Sequence, residues 1–540
     1  MSDTQIDKKI KVKGSIHVGQ EMELVQAAER PSAKASFFDV GRPQGMPTVD
    51  YSQRLSRPGE LPMQRLVHSL TNINENIWIK NDGLCASYGI FGAPGSGKTH
   101  LLLYLLRQIL ALNKDNQDLK YGGLILDPKA ALIDDVREIV KMAGREDDLV
   151  VLNTDELIQR KEAENVINSA LDPYELGNQL VLAAQSAGVS TSDPYWLLAW
   201  GNLFGAACSL LSLGHEVVTL KQLLDALLIV ELDNTLTSDK PERRIQHIAR
   251  RQRKNLENLS SEDERYDAER AINQIENFFR QENENIATIE AIITRAYSAF
   301  QRSRYSCYSL VQSKELAKRR SNFYDRIIDE GKIVLVSLSP SEPALAKTLC
   351  TLIKCLFQRS VLSRLERVRA RKLKNFKRPL IIACDEYSQV ASELPGQPMG
   401  DGDFFSQSRQ NGCMGLLATQ SVNVLQASSL KEAWRSVFSN FGGKIFMRLV
   451  DNETAEEATK LAGESDWYLT SQGTSRSKDG LGSSTQKELR ERKSLPTSVL
   501  TQLFQKGDAV VLGSLDGSTG KSFTQFVHVP GEFNPPQSEE

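Results

Sequence analysis

Gly92-Ala93-Pro94-Gly95-Ser96-Gly97-Lys98-Thr99 fits the pattern G-x-x-x-x-G-K-[ST] at every fixed position, and its flanks are the ones that pattern needs. Residues 86–91 read as a short buried strand, and His100-Leu101-Leu102-Leu103-Tyr104-Leu105-Leu106 opens an apolar helix. Strand, loop and helix together make a nucleoside-triphosphate site. Glycines let the loop turn its backbone N–H groups inward around phosphates, and the helix N-terminus adds a positive dipole end. Lys98 would reach the β- and γ-phosphates, and the Thr99 hydroxyl would ligate Mg²⁺. The candidate nucleotide-binding set is Gly92, Ala93, Pro94, Gly95, Ser96, Gly97, Lys98, Thr99 and His100.

Working outward, residues 121–129 (YGGLILDPK) predict a strand ending in a polar turn, and residues 148–153 (DLVVLN) a further buried strand after a helix. Such alternation implies a parallel sheet covered on both faces. Between about 174 and 320 strand signals fade, and the chain reads as helices with long charged faces. Strands resume at 332–338, 379–384, 414–419, 443–447 and 508–512, so the sheet domain is split in sequence by a helical one. The expected division is an N-terminal, weakly structured arm over 1–60, the sheet domain over 61–173 and 321–530, an all-α domain over 174–320, and a disordered tail over 531–540. Residues 471–485 (SQGTSRSKDGLGSST) have the composition of a mobile loop.

At 540 residues, with 40% apolar and 25% charged residues, the chain has ample material for several cores. The net charge of −2 excludes a global polycation, so any nucleic-acid footprint must be local. Seven cysteines without a CxxC pair point to reduced thiols in a cytosol, and the first residues lack the apolar stretch of a signal peptide. Residues 196–214 (WLLAWGNLFGAACSLLSLG) carry no charge and are about long enough to cross a bilayer, but their glycines, Asn202 and serines read as a buried helix.

The strand Leu380-Ile381-Ile382-Ala383-Cys384 runs directly into Asp385-Glu386. This is the arrangement of a Walker B element, on a strand expected beside that of the phosphate loop. Asp385 would hold Mg²⁺ and Glu386 would polarise the attacking water. A helix ends near Arg409, and the next strand delivers Gln420. Gln420 suits a γ-phosphate contact, its bland alternative being an amide that caps a loop. Arg409 suits an arginine finger toward a neighbouring subunit, its alternative being a surface salt bridge.

These residues together resemble the TraD/TraG-type coupling proteins of conjugative type IV secretion, within the FtsK/HerA group of P-loop DNA translocases. The likeness covers most of residues 85–530 and includes Asp127-Pro128-Lys129, Asp193-Pro194-Tyr195-Trp196, residues 325–338 and, most specifically, CDEYSQV through FFSQSRQNGCMGLLATQ. The resemblance implies a RecA-like α/β domain interrupted by an all-α domain, assembled as a homohexamer that hydrolyses ATP with Mg²⁺ and moves DNA. It maps hydrolysis onto Asp385, Glu386, Arg409 and Gln420. Family members typically carry N-terminal transmembrane helices, which this sequence lacks, so a cytoplasmic protein is expected, peripheral at the inner membrane through a partner. Relaxase, secretion-channel and membrane-anchor proteins are the implied partners. The alternatives are a nucleotide-gated adaptor that recruits a protein or nucleoprotein substrate, and a HerA-like DNA-processing or defence ATPase.

Two basic runs are candidate DNA contacts. One comprises Arg364, Arg367, Arg369, Arg371, Lys372, Lys374, Lys377 and Arg378, and the other runs from Arg243-Arg244 to Arg250-Arg251-Gln252-Arg253-Lys254. Neither shows the interleaved aromatics of a single-strand stacking platform, and the alternative for both is a solvated helix face.

Overall fold

The computed structural model describes residues 15–29, 65–186, 188, 194–214, 217–231, 242–259, 261–281, 283–309, 322–338, 341–393, 400–477, 480–515 and 523–531. Its frame is one sheet of eleven strands. In chain order these are β1 (Ser15–Glu29), β2 (Arg65–Lys80), β3 (Tyr88–Phe91), β4 (Gly122–Asp127), β5 (Leu149–Leu152), β6 (Ile333–Ser337), β7 (Leu380–Cys384), β8 (Cys413–Thr419), β9 (Gly443–Met447), β10 (Asp508–Gly513) and β11 (Phe523–His528). Spatially the order is β2-β1-β11-β10-β9-β3-β8-β7-β4-β6-β5. From β9 to β5 every neighbouring pair is parallel, whereas β10, β11, β1 and β2 extend the sheet in antiparallel fashion.

Every residue of β3, β4, β6, β7 and β8 is buried, as expected for strands covered on both faces. Alternate residues serve different cores. Leu124, Leu126, Val334 and Val336 pack with the helical region, and Ile125, Leu335 and Ile381 pack with α1 (Lys98–Ala111) and α2 (Ile133–Met142).

Between β5 and β6 the chain builds α3 (Thr154–Arg160), α4 (Pro173–Ser186), α5 (Pro194–Ser212), α6 (Leu220–Leu228), α7 (Arg244–Asn255), α8 (Glu262–Phe279) and α9 (Asn283–Tyr297). The uncharged stretch is α5, with Trp200 and Phe204 fully buried. It approaches α4 backbone to backbone, since a Cβ on Gly177 would lie 2.3 Å from the Gly201 carbonyl oxygen. Among the described residues no helix is long and apolar enough to cross a membrane. After β6, α10 (Pro343–Leu362) runs beneath the sheet, and α11 (Asp401–Gln407) precedes β8.

Three expectations are corrected. Residues 15–29 are not a weakly structured arm: they form β1, paired with β2 along most of its length and with β11. Residues 1–14, 30–64 and 532–540 lie outside the described residues. Residues 471–485 belong largely to a two-stranded antiparallel hairpin, Glu464–Ser477 with Gly480–Lys493, whose cross-strand ladder supplies the order that composition alone does not. Finally, the Asp385-Glu386 strand is not adjacent to the phosphate-loop strand, because β8 pairs with both β3 and β7 and separates them.

Candidate nucleotide site

The loop between β3 and α1 is built for an anion. Gly95 and Gly97 have φ of +75° and +108°, values that favour glycine, and a Cβ on Gly92 would lie 2.6 Å from Ser96 Oγ. The Ala93 amide donates to the Arg448 carbonyl at 2.8 Å, and the Gly507 amide to the Ser96 carbonyl at 3.0 Å, so β9 and the turn before β10 fix the loop from one side. The N-terminus of α1 has no side-chain cap and no acid in its first turn. Its first amides, which have no partner within the helix, are thereby left for an external ligand.

Lys98 is buried and donates to the carbonyls of Gly92 (2.6 Å) and Ala93 (3.1 Å). Burial lowers its ammonium below the ordinary lysine range, against the pull of Glu386 and Asp385. Thr99 Oγ1 donates to Asp385 Oδ2 at 3.0 Å, joining the loop to the end of β7 across the intervening strand. Asp385 Oδ1 is buried without a hydrogen-bond partner. Burial pushes this carboxyl up, while the Thr99 bond works the other way. A hydroxyl beside a carboxylate oxygen with free lone pairs fits Mg²⁺, which takes a small share of its octahedron from protein and the rest from phosphate and water.

Glu386 holds a left-handed backbone, φ 58° and ψ 50°, rare for a residue with a side chain. Its carboxylate accepts from Lys129 Nζ at 2.7 Å and lies 3.3 Å by either oxygen from Gln420 Nε2. Gln420, just past β8, therefore joins the site. His100 is placed differently from the loop residues: its ring nitrogen Nε2 lies 2.7 Å from the Pro530 carbonyl oxygen, which ties α1 to the segment after β11.

Arg409 does not meet these groups. It is exposed in the turn between α11 and β8, where its carbonyl accepts from the Gly412 amide and Leu380 in turn donates to Gly412, at the N-terminal edge of the parallel strands. The loop, Asp385, Glu386 and Gln420 stand at the C-terminal edge.

The basic run at 364–378 is not one charged face. Arg364, Arg367 and Arg378 are buried. Arg364 donates to the Asn375 and Asn411 carbonyls, Arg378 to those of Ile328, Lys120, Gln117 and Asp329, and Arg367 pairs with Asp325. Desolvation lowers the Arg364 guanidinium to about 9. Arg369, Arg371, Lys372, Lys374 and Lys377 stay exposed. In the other run Arg243 pairs with Glu290, Arg250 with Glu242 and Arg253 with Glu276, so much of its charge is neutralised locally.

Two features escaped the sequence. Lys129 lies in the quoted Asp127-Pro128-Lys129, and its contact follows from the pairing of β4 with β7. Beneath the site, Lys354 of α10 pairs with Asp401 at 2.6 Å, both side chains fully buried. Gln358, the Tyr387 hydroxyl and the Ser392 amide also donate to Asp401. Only the sequence triplet Asp-Pro-Lys after a strand offered a signal for the first, and nothing local offered one for the second.

A P-loop and an acid pair at the C-terminal edge of the parallel strands of a mixed sheet, interrupted by helices, define a RecA-like P-loop NTPase fold with an all-helical domain. Known proteins narrow this. The family described as the TraM recognition site of TraD and TraG matches residues 380–505. The type 4 coupling protein DotL of Legionella pneumophila is 26% identical over 430 residues, 73% of this chain and 51% of DotL. The chain thus spans about half the length of that curated relative. Among solved structures, the bacterial conjugative coupling protein TrwBdeltaN70 in an unbound form matches with TM-score 0.55 at 14% identity, covering 84% of this chain and 87% of that one. TrwB with the ATP analogue ADPNP gives 0.54 at 14% over 85% and 88%, and TrwB with ADP and Mg²⁺ gives 0.51 at 15% over 85% and 88%. The chain is accordingly similar to the TraD/TraG-type coupling proteins, in sequence over residues 380–505 and in fold over most of its length.

Proposed function

We propose that this chain is a Mg²⁺-dependent ATPase motor that moves DNA, working as a ring, with a homohexamer the expected form, whose active sites are completed by neighbouring subunits. One observation carries the reading. Lys98, Thr99, Asp385, Glu386 and Gln420 converge at one edge of the sheet, joined by the Thr99–Asp385 and Gln420–Glu386 contacts, while Arg409 stands at the other. A head-to-tail neighbour would bring its Arg409 edge to this one, the heterologous contact that closes rings.

In this scheme residues 92–100 bind the triphosphate, with Lys98 on the β- and γ-phosphates, and Thr99 and Asp385 would hold Mg²⁺, which neutralises phosphate charge. Glu386 accepts the proton of the attacking water, Gln420 contacts the γ-phosphate, and the neighbour's Arg409 stabilises the charge that develops on it. The TrwB structures with ADPNP and with ADP and Mg²⁺ support the choice of cofactors. The five exposed cations between Arg369 and Lys377 form the surface we assign to phosphate backbones. The site of action is the cytoplasm, peripheral to the inner membrane where a secretion partner docks the ring.

The second reading, a nucleotide-gated adaptor for a relaxase or other protein substrate, draws on the family match described as a TraM recognition site. ATP turnover measured with single-stranded DNA, with duplex DNA and without DNA decides between them, alongside oligomer mass with a non-hydrolysable analogue. Stimulation by DNA supports the motor. Stimulation by a protein partner alone, without DNA movement, supports the adaptor.

A further inference from the structure

We propose that Lys129 is a restraint on Glu386, holding the carboxylate in a resting arrangement that competes with the attacking water until the ion pair opens. The inference rests on the reading of Glu386 as the base of ATP hydrolysis. Strands β4 and β7 pair in register, Leu126 opposite Cys384, so Lys129 and Glu386 leave the same sheet edge side by side. The turn that carries Lys129 is pinned from below. The buried Asp127 carboxylate accepts from the Leu132 amide at 2.8 Å and from Ser337 Oγ at 2.7 Å.

Both oxygens of Glu386 already face donors, Lys129 Nζ at 2.7 Å on Oε1 and Gln420 Nε2 at 3.3 Å from each. A carboxylate offers about four lone-pair sites, so these donors do not shut water out. Lys129 nevertheless holds Oε1 at the short distance, about 2.6–3.2 Å, that the water activated by a general base must itself occupy, and the two compete. Lys129 is the donor free to move. Its side chain is 46% exposed against 10% for Glu386, and an ion pair that open to solvent is weak. Glu386 has less room, because its side chain is largely buried and its left-handed backbone runs into Tyr387, whose hydroxyl is bonded to the buried Asp401. A confined base and a movable lysine make a restraint that acts on the rate of turnover and leaves nucleotide binding alone.

The test compares the full-length chain with Lys129→Met, Lys129→Arg and Glu386→Gln, measuring steady-state ATP turnover without DNA and the Kd of a fluorescent ATP analogue. Lys129→Met should raise kcat about threefold or more with Kd changed less than about twofold, and Lys129→Arg should keep the wild-type rate. A merely structural lysine gives no gain in rate when removed. If Glu386→Gln is inactive and Lys129→Met is no faster than wild type, the restraint is wrong and the base assignment stands. If Glu386→Gln turns over normally, the base assignment is wrong and the restraint falls with it.

Discussion

Arg409 and Glu386 stand at opposite edges of the parallel strands of one mixed sheet. Glu386 follows the C-terminal end of β7, whereas Arg409 precedes the N-terminal end of its parallel neighbour β8, whose seven residues separate the two edges. Seven strand residues span about 20 Å, well beyond the reach of one side chain. An Arg409 that acts in hydrolysis must therefore act on another subunit's nucleotide. Arg409→Ala should bind nucleotide within about threefold of wild type and lose turnover by about a thousandfold or more, and Arg409→Lys should not rescue it. Equilibrium binding and steady-state rates on the assembled protein check this.

The Thr99–Asp385 pair predicts how the metal is held. Thr99→Val removes the hydroxyl that donates to Asp385 Oδ2 and would ligate the cation. Nucleotide affinity should then gain little from Mg²⁺, whereas in the wild type removing Mg²⁺ with EDTA should weaken binding about tenfold or more. Calorimetric titrations with and without the metal measure both. A full Mg²⁺ gain in Thr99→Val contradicts the assignment.

Stability should concentrate at Lys354 and Asp401. Asp401→Asn leaves a buried ammonium without its counter-ion, and breaking such a pair costs about 3–5 kcal/mol. Lys354→Met with Asp401→Leu removes both charges and should recover part of that loss, as read from urea midpoints. Because Tyr387 is bonded to Asp401 and follows Glu386 directly, Asp401→Asn should also slow turnover.

Lys444 gives stability a pH dependence. Burial lowers its ammonium from the ordinary 10.5 to about 8, although it donates to the Phe441 carbonyl at 2.7 Å. Between about pH 8 and 10.5 the unfolded chain keeps a proton that the folded chain has released, so through this residue stability rises with pH. Lys444→Met should accordingly be more stable than wild type at pH 7, with the advantage shrinking from pH 8 to 10. A difference independent of pH across thermal melts at those values counts against it.

The features legible in the sequence are those whose signal is local. The phosphate loop carries its glycines, Lys98 and Thr99 in eight residues, and β3, β4, β7 and β8 are short apolar runs because both faces are buried. Ser15–Glu29 was not legible. Its polar residues suit a strand in the antiparallel flank, and its partners β2 and β11 lie far along the chain. The hairpin at 464–493 was not legible either, because its order comes from the cross-strand ladder and its composition is that of a loop. Arg364 and Arg378 read as surface charge because the carbonyls that receive them come from other segments. For the site, strand order was the missing quantity. It places β8 between β3 and β7, and brings Lys129 to Glu386.

The shared active site is tested most directly by mixing two inactive variants, Lys98→Ala and Arg409→Ala, assembling them together and measuring ATP turnover. Each variant supplies what the other lacks, so in random one-to-one rings about a quarter of the interfaces pair an intact phosphate loop with an intact Arg409. Turnover should rise to about a quarter of the wild-type rate. Mixed rings, verified by mass, that stay as inactive as either variant alone would contradict the account.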